Sequence, residues 1–388
     1  MRLPGYPSTH LTYCLNVHPG ESWEENLAAI RTKALAIRKA ISPDRPFGLG
    51  LRLGNAASLS LSAPETLQEF KRFLADQHLY VFTINGFPYG AFHHTRVKEL
   101  VYQPDWRTPE RVAYTKRLAT ILAELLPEGV AGSISTVPCS YKAWIRTGAD
   151  KRRMAENLAT VAQHMAGILD RTGKRIHLGL EPEPDCFLET TGDVVSFFED
   201  YLLGGATEGV IRHHLGICVD TCHLAIQFED LAESLYTLRA KGILLSKIQL
   251  SAAPVVTGSA GTGNAGMLAA LKGFCDPVYL HQVKVRSAAG PVVSYPDLPE
   301  ALARHKATGR LEGEWRIHFH IPLYFSATDV IRSTSAQLTP AFFRAVRECG
   351  TEHLEIETYT FDVLPAEMQA LGVEASIASE YKWVLSRV

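Results

Sequence analysis

Apolar runs long enough to form β-strands recur along the whole chain, and amphipathic helical stretches separate them. Strands buried on both faces between helices are typical of parallel α/β folds. Eight such strands close a (β/α)8 TIM barrel, which is the fold that we predict. The alternative is an open doubly wound sheet, but no Gly-x-Gly-x-x-Gly follows the first strand, which argues against its dinucleotide-binding form. The predicted strands are 12–17, 47–53, 80–85, 132–137, 176–181, 215–220, 245–250 and 354–358.

One long region breaks this alternation, between Leu250 and a helix predicted to begin near Thr339. Within it, residues 278–285 and 315–321 alternate with period two, which predicts a half-exposed antiparallel hairpin. We interpret residues 252–335, approximately, as an insertion after strand seven that lies over the C-terminal mouth of the barrel. No internal repeat or clean boundary divides residues 1–388, so we predict a single domain.

The composition excludes several classes of protein. The formal net charge of −2 gives no general attraction to nucleic acid or to anionic membranes. Seven cysteines match no disulfide framework or zinc knuckle, which favours a reducing compartment. No apolar stretch approaches the ~18 residues of a membrane span, and the N-terminus resembles no signal peptide. We expect a cytoplasmic protein that binds a small-molecule metabolite; a homo-oligomer or pathway partner proteins stay open.

Four polar side chains stand where predicted strands end, and they are Glu181, Asp220, Gln249 and Glu357. The C-terminal ends of barrel strands meet at one face, where active sites are built. A carboxylate at the end of a buried strand is costly unless it is paired or binds a metal. These residues therefore predict a divalent metal site. The alternatives are a solvated loop carboxylate for Glu181, a helix N-cap for Asp220 and a purely structural amide for Gln249.

Histidines add to this set. His223 follows Asp220 by three residues, and His318 and His320 are two apart, so we expect the latter pair on one face of a strand. Two imidazoles on one face can chelate a transition metal, although a pair of surface histidines is the alternative. Asn85, His223 and His281 are our candidates for substrate binding, because an amide and imidazoles near the mouth suit a polyol or carbonyl pocket.

Two short motifs, Val219-Asp-Thr-Cys-His223 and Ile356-Glu-Thr358, resemble those of the xylose isomerase-like TIM-barrel superfamily, which holds sugar isomerases, sugar 3-epimerases and apurinic endonucleases. The resemblance implies one divalent ion held by Glu181, Asp220, Gln249 and Glu357. It also implies that Glu181 and Glu357 move a proton between the two faces of a sugar carbon. Gln249 stands where the epimerases have histidine, and its carbonyl oxygen favours Mn²⁺ or Mg²⁺ over Zn²⁺.

The resemblance to the endonucleases implies a further zinc ion at His223, His318 and His320, with histidine in place of an aspartate. The histidines that hold the first zinc of that family have no match, since Gly54-Asn55 and Asn85-Gly86 stand there.

A closer resemblance is to the EboE-type metabolite-traffic family. The motifs that carry it, besides Asp220-Thr-Cys-His223, are Asn85-Gly-Phe-Pro-Tyr-Gly, Tyr102-Gln-Pro-Asp-Trp106, Glu181-Pro-Glu-Pro and Tyr279-Leu-His281. The resemblance implies a role in the processing or traffic of secondary metabolites.

Three hypotheses follow. The first is a metal-dependent isomerase or epimerase of a polyhydroxy carbonyl compound, in which Glu181 and Glu357 exchange the proton. The second is metal-assisted hydrolysis of a phosphoester by two ions. The third is a barrel without catalytic activity that carries a hydrophobic metabolite, with Phe87, Tyr89, Phe92 and the insertion as a lid.

Overall fold

The structure is a computed structural model of the chain. It describes all residues except 4, 7, 92–97, 260–263, 288–289 and 309–310, and the side chains at 307 and 308 are also not described. Phe92, part of the predicted lid, and the middle of the glycine-rich segment 258–266, which we predict to be a flexible linker, therefore lie outside the described residues.

Strands of two sheets alternate with helices along the described chain. The strands are β1 (His10–Tyr13), β2 (Phe47–Arg52), β3 (Leu79–Asn85), β4 (Gly132–Thr136), β5 (Ile176–Leu180), β6 (Leu215–Asp220), β7 (Leu244–Leu250), β8 (Pro254–Gly258), β9 (Val283–Arg286), β10 (Val293–Tyr295), β11 (Gly313–Ile317), β12 (Arg332–Ser333) and β13 (His353–Ile356).

The larger sheet is a nearly closed barrel of eight parallel strands in the order β1-β13-β7-β6-β5-β4-β3-β2. A parallel bridge between Cys14 and Gly50 joins the two ends of this order, next to β1 and β2. The (β/α)8 prediction is thus confirmed. Each predicted strand overlaps an observed one, with differences of a few residues at the ends.

The α-helices cover the barrel or extend from it, and their bounds follow capping signals in the sequence. Helix α6, for example, begins with a capping box between Thr147 and Asp150 and ends at Gly173, which has a positive φ of 70°. The helices are α1 (Trp23–Ala29), α2 (Leu35–Ile41), α3 (Asn55–Leu61), α4 (Pro64–Asp76), α5 (Pro109–Leu125), α6 (Gly148–Thr172), α7 (Thr191–Phe197), α8 (Glu208–His214), α9 (Thr221–Ile226), α10 (Leu231–Ala240), α11 (Ala265–Lys272), α12 (Leu298–Thr308), α13 (Pro340–Glu348), α14 (Ala366–Gln369) and α15 (Val373–Leu385). Among the described residues, no helix has the length and apolar character needed to cross a bilayer.

The barrel interior contains an ion pair between Lys247 of β7 and Glu355 of β13, both fully buried. Lys247 Nζ also lies 3.2 Å from Thr83 Oγ1 of β3. Gly50 of β2 leaves the space that this pair needs, because a Cβ there would lie 2.0 Å from Glu355 Oε1. The pair therefore links three parts of the barrel beneath the mouth.

The smaller sheet is antiparallel, has the strand order β10-β9-β11-β8-β12, and lies in the chain between β7 and β13. Strands β9 and β11 pair with Trp315 opposite Val285, so the two segments predicted to form a hairpin are neighbours in this sheet. Both strands are shorter than predicted. Since β11 ends at Ile317, His318 and His320 follow the strand instead of lying on one face of it. The extent of the insertion, 252–335, stays a prediction.

Candidate metal centre and pocket

Asp220 and Glu181 occupy equivalent places at the ends of neighbouring strands. Asp220 ends β6 and is also the N-cap of α9, where its Oδ1 accepts hydrogen bonds from His223 N (3.0 Å) and Ser251 Oγ (2.6 Å). Glu181 follows β5, and its backbone N–H donates to Thr136 O (3.0 Å). Asp220 Oδ2 and Glu181 Oε2 are buried and have no hydrogen-bond partner among the described residues. Each carboxylate therefore presents one bare oxygen to the site.

The tautomers of two histidines follow from their partners. His223 Nδ1 lies 3.0 Å from Pro182 O, and His320 Nδ1 lies 3.0 Å from Glu357 O. A carbonyl oxygen can only accept, so Nδ1 of each imidazole carries the proton and Nε2 carries a lone pair. Burial lowers the pKa of His223 and lowers that of His320 to about 4, which keeps both rings neutral at pH 7. Neutral imidazole is the form that binds metals.

His318 completes a cluster of three imidazoles. Its Nε2 lies 3.0 Å from His223 Nε2, and the ligand atoms of His223, His318 and His320 all lie within 4.8 Å of one another. Burial and then the neighbouring His223 lower the pKa of His318 well below its usual range. Two neutral imidazoles that face each other with lone pairs repel, unless a proton or a cation lies between them.

These residues fit a transition-metal ion. The ligand atoms of Glu181, Asp220 and His223 also lie within 4.8 Å of one another, so a carboxylate oxygen can join the nitrogens. A site rich in imidazole suits zinc, iron, copper or nickel better than magnesium, which takes oxygen ligands. This donor set differs from the one that includes Gln249, and the choice among Mn²⁺, Mg²⁺ and Zn²⁺ stays a prediction.

Glu357 follows β13, and two amides hold it. Asn16 Nδ2 and Asn85 Nδ2 both donate to Glu357 Oε1, at 2.8 and 3.1 Å. The orientation of the Asn85 amide is fixed because Phe87 N donates to Asn85 Oδ1 (3.1 Å). Burial, and then the charge of Asp220, raises the pKa of Glu357 well above its usual range. Burial followed by the charges of Glu357 and Asp220 does the same for Glu181.

A small pocket of about 60 Å³, partly open to solvent, lies beside this cluster. The polar side chains that line it include Glu181, Glu183, His223, His318 and Glu357, together with Asn16, Asn85 and Lys98. The remaining wall is apolar and aromatic, formed by Phe87, Pro88, Val101, Tyr102, Tyr279, Leu280 and Tyr359.

Two predicted site residues lie apart from the others. Gln249 is fully buried, its Oε1 accepts from Cys218 Sγ (3.1 Å), and its amide nitrogen has no partner among the described residues. His281 is also fully buried; it pairs with Asp276 through Nε2 and lies 2.7 Å from His318 O through Nδ1. Neither side chain is part of the pocket lining.

The residues brought together are Glu181, Asp220, His223, His318, His320, Glu357 and Asn85. Sequence reasoning missed Asn16 and Gln282, and it singled out Glu183 only as part of the Glu181-Pro-Glu-Pro motif. Asn16 follows β1 much as Asn85 ends β3, and that similarity of position was the available signal. No pattern singled out Gln282, because its partners come from distant parts of the chain.

The fold resembles those of solved structures. L-ribulose 3-epimerase matches with 12% identity and a TM-score of 0.50, over 97% of this chain and 92% of that one. A xylose isomerase-like TIM barrel protein from Mycobacterium smegmatis, in complex with magnesium, matches with 14% identity and a TM-score of 0.50, over 92% of this chain and 88% of that one. No protein-family model matches the chain, and neither does any curated protein. The chain therefore shares the TIM-barrel fold of these two structures.

Proposed function

We propose that this barrel of the xylose isomerase-like fold is a divalent-metal-dependent isomerase or epimerase that acts on a polyhydroxy carbonyl metabolite. The observation that carries the proposal is the placement of Glu181 and Glu357 around one pocket beside the histidine cluster. Their strands, β5 and β13, are separated by β6 and β7 in the barrel, so the two carboxylates approach the pocket from different sides. Two bases on different sides of one carbon are what the inversion of a stereocentre requires.

The metal would be held by Nε2 of His223, His318 and His320 together with Asp220, and Gln249 is outside this set. When bound, such an ion polarises a carbonyl and a neighbouring hydroxyl oxygen of the substrate.

The two glutamates divide the proton transfer. Glu181 has a bare Oε2 and is positioned to accept the proton from the carbon next to the carbonyl. Glu357 is held by Asn16 and Asn85 through Oε1, and it returns a proton through its other oxygen to the opposite face. Burial raises the pKa of both groups well above the usual range, which makes each carboxyl group better able to hold and return a proton. Asn85 thus acts on the base, which refines its predicted role in substrate binding.

The biological setting is a finer part of the proposal. The resemblance of Asn85-Gly-Phe-Pro-Tyr-Gly and Glu181-Pro-Glu-Pro to the EboE-type family supports a place in secondary-metabolite processing. One of the two fold relatives is a sugar epimerase and the other is a complex with magnesium, which supports a metal-dependent reaction on a sugar-like compound.

Solvent isotope exchange tests the proposal. The protein loaded with Zn²⁺, Fe²⁺ or Mn²⁺ is incubated in D₂O with a panel of aldoses, ketoses and cyclitol ketones. We expect deuterium at the carbon next to the carbonyl of at least one compound, seen by mass spectrometry. The absence of exchange with every compound and every metal would contradict the proposal.

A further inference from the structure

We infer that Gln282 is a positioning residue for the metal centre, which holds His318 in the tautomer that can bind the ion. The inference rests on the metal site of the proposed function. It goes further by assigning a task to a residue that is fully buried and lies outside the pocket lining.

One chain of hydrogen bonds determines the tautomer of His318. Gln282 Nε2 donates to Pro184 O (3.0 Å), and because that oxygen can only accept, the NH₂ group of the amide must face it. Gln282 Oε1 is then turned to His318 Nδ1, at 2.6 Å. An amide oxygen also only accepts, so His318 Nδ1 carries the proton and Nε2 carries the lone pair. A backbone carbonyl thus determines, through Gln282, which nitrogen of His318 faces the other imidazoles.

Residues 281 and 282 hold His318 at three points. Besides the contact at Nδ1, His318 N donates to Gln282 O (2.8 Å), and His281 Nδ1 lies 2.7 Å from His318 O. The ring of His318 is therefore fixed in position as well as in tautomer. His281, predicted to bind substrate, instead supports the backbone of this ligand.

Gln282 differs from the partners of the other two imidazoles. Backbone carbonyl groups, Pro182 O and Glu357 O, accept from His223 and His320, and no side-chain substitution removes them. Of the three clustered imidazoles, only His318 has a side chain as the hydrogen-bond partner of its Nδ1. Gln282 also links segments that are distant in sequence, because it precedes β9 whereas Pro184 follows β5.

The first test is metal affinity, with Zn²⁺ competed by a chromophoric chelator. Gln282→Leu removes the acceptor, and loss of such a partner typically lowers metal affinity about 10–100-fold. Gln282→Glu keeps an acceptor for His318 Nδ1 but loses the donor to Pro184 O, so we expect a smaller loss of affinity than in Gln282→Leu. In a His318→Ala background, Gln282→Leu should have no further effect. Gln227→Leu, which removes an amide that donates to Glu189, is the matched control.

The second test needs no metal. In the metal-free protein, ¹⁵N NMR of labelled histidine should show His318 protonated at Nδ1, and this signal should be lost in Gln282→Leu but not in Gln227→Leu. The opposite tautomer, or equal effects of Gln282→Leu and Gln282→Glu on affinity, would overturn the inference. If instead the NMR result holds while no variant or unmodified protein binds Zn²⁺, the metal site of the proposed function is wrong and the tautomer assignment stands.

Discussion

At the scale of single residues, the direction of lone pairs decides what the site can bind. Nδ1 of each of the three clustered imidazoles faces an oxygen that can only accept, so every Nε2 is left without a proton. The lone pairs meet beside Asp220, which presents a bare oxygen. Uncompensated, this arrangement of buried acceptors is unfavourable, and a bound cation would relieve it.

The glutamates give the first prediction. Glu181→Gln and Glu357→Gln keep the size of the side chain but remove the base, so we expect each to lower isotope exchange by about 10²–10⁴-fold. Neither change should abolish Zn²⁺ binding, because the imidazoles are untouched. Glu380→Gln, at a buried carboxylate bound to Thr358 Oγ1 (2.8 Å) outside the pocket lining, should retain exchange. Equal rates in all three variants would show that the glutamates do not transfer the proton.

Glu183 gives a prediction about pH. Burial raises its pKa from 4.5 to about 8 in the folded protein. The folded state then binds this proton more tightly than the unfolded state does, so stability is lost as the pH rises from about 4.5 to about 8. We therefore expect metal-free Glu183→Gln to become more stable than the unmodified protein as the pH rises, with a constant difference above about pH 8. Urea unfolding of both proteins across this pH range measures the difference in their stability. A difference that is independent of pH would contradict the burial argument.

At the scale of elements, the site is assembled from two parts of the chain that fold differently. Strands β5, β6 and β13 deliver Glu181, Asp220 and Glu357 to the barrel mouth by the geometry of parallel strands. The segment after β11 delivers His318 and His320, and its path depends on pairing within the smaller sheet. The positions of the three carboxylates at the barrel mouth could be predicted from the sequence, because each follows an apolar run. The spacing of His318 and His320 predicted a metal-binding pair, but only a resemblance grouped that pair with His223, because no spacing rule places a segment of one sheet over another.

The buried pair between β7 and β13 gives a prediction about stability. Lys247→Met leaves Glu355 charged and unpaired in the barrel interior, and we expect a loss of about 3–5 kcal/mol in the free energy of unfolding. The double variant with Glu355→Met should be less destabilised than Lys247→Met alone. Urea unfolding of the unmodified protein, the single variant and the double variant gives the three free energies of unfolding.

An exposed ion pair is the control for this comparison. Lys241 and Glu199 are 2.8 Å apart with side chains 46% and 48% exposed, and Lys241→Met should cost less than about 1 kcal/mol. A comparable loss at both lysines would show that the buried pair has no special role.

At the scale of the whole molecule, the alternation of strands and helices predicted a parallel α/β fold, and the count of eight strands favoured a closed barrel over an open doubly wound sheet. The hydrogen-bond partners of the buried amide side chains near the site were less predictable. Gln249 stands at a strand end like Asp220, yet its oxygen is turned to Cys218, a contact between neighbouring strands that depends on register. Gln282 lies in a stretch of no distinctive pattern, and its task depends on Pro184 and His318, which are far away in sequence.

The central claim is that side chains from the barrel and from the segment after β11 form one metal centre. Elemental analysis of the dialysed protein, combined with Zn²⁺ titration of the unmodified chain and of His223→Ala, His318→Ala, His320→Ala and the half-buried control His164→Ala, tests it directly. We predict one tightly held ion per chain and a loss of affinity of at least about tenfold for each of the three imidazole variants, but not for the control. A chain that retains no ion, or one that binds Zn²⁺ equally well without His318 and His320, would contradict the account.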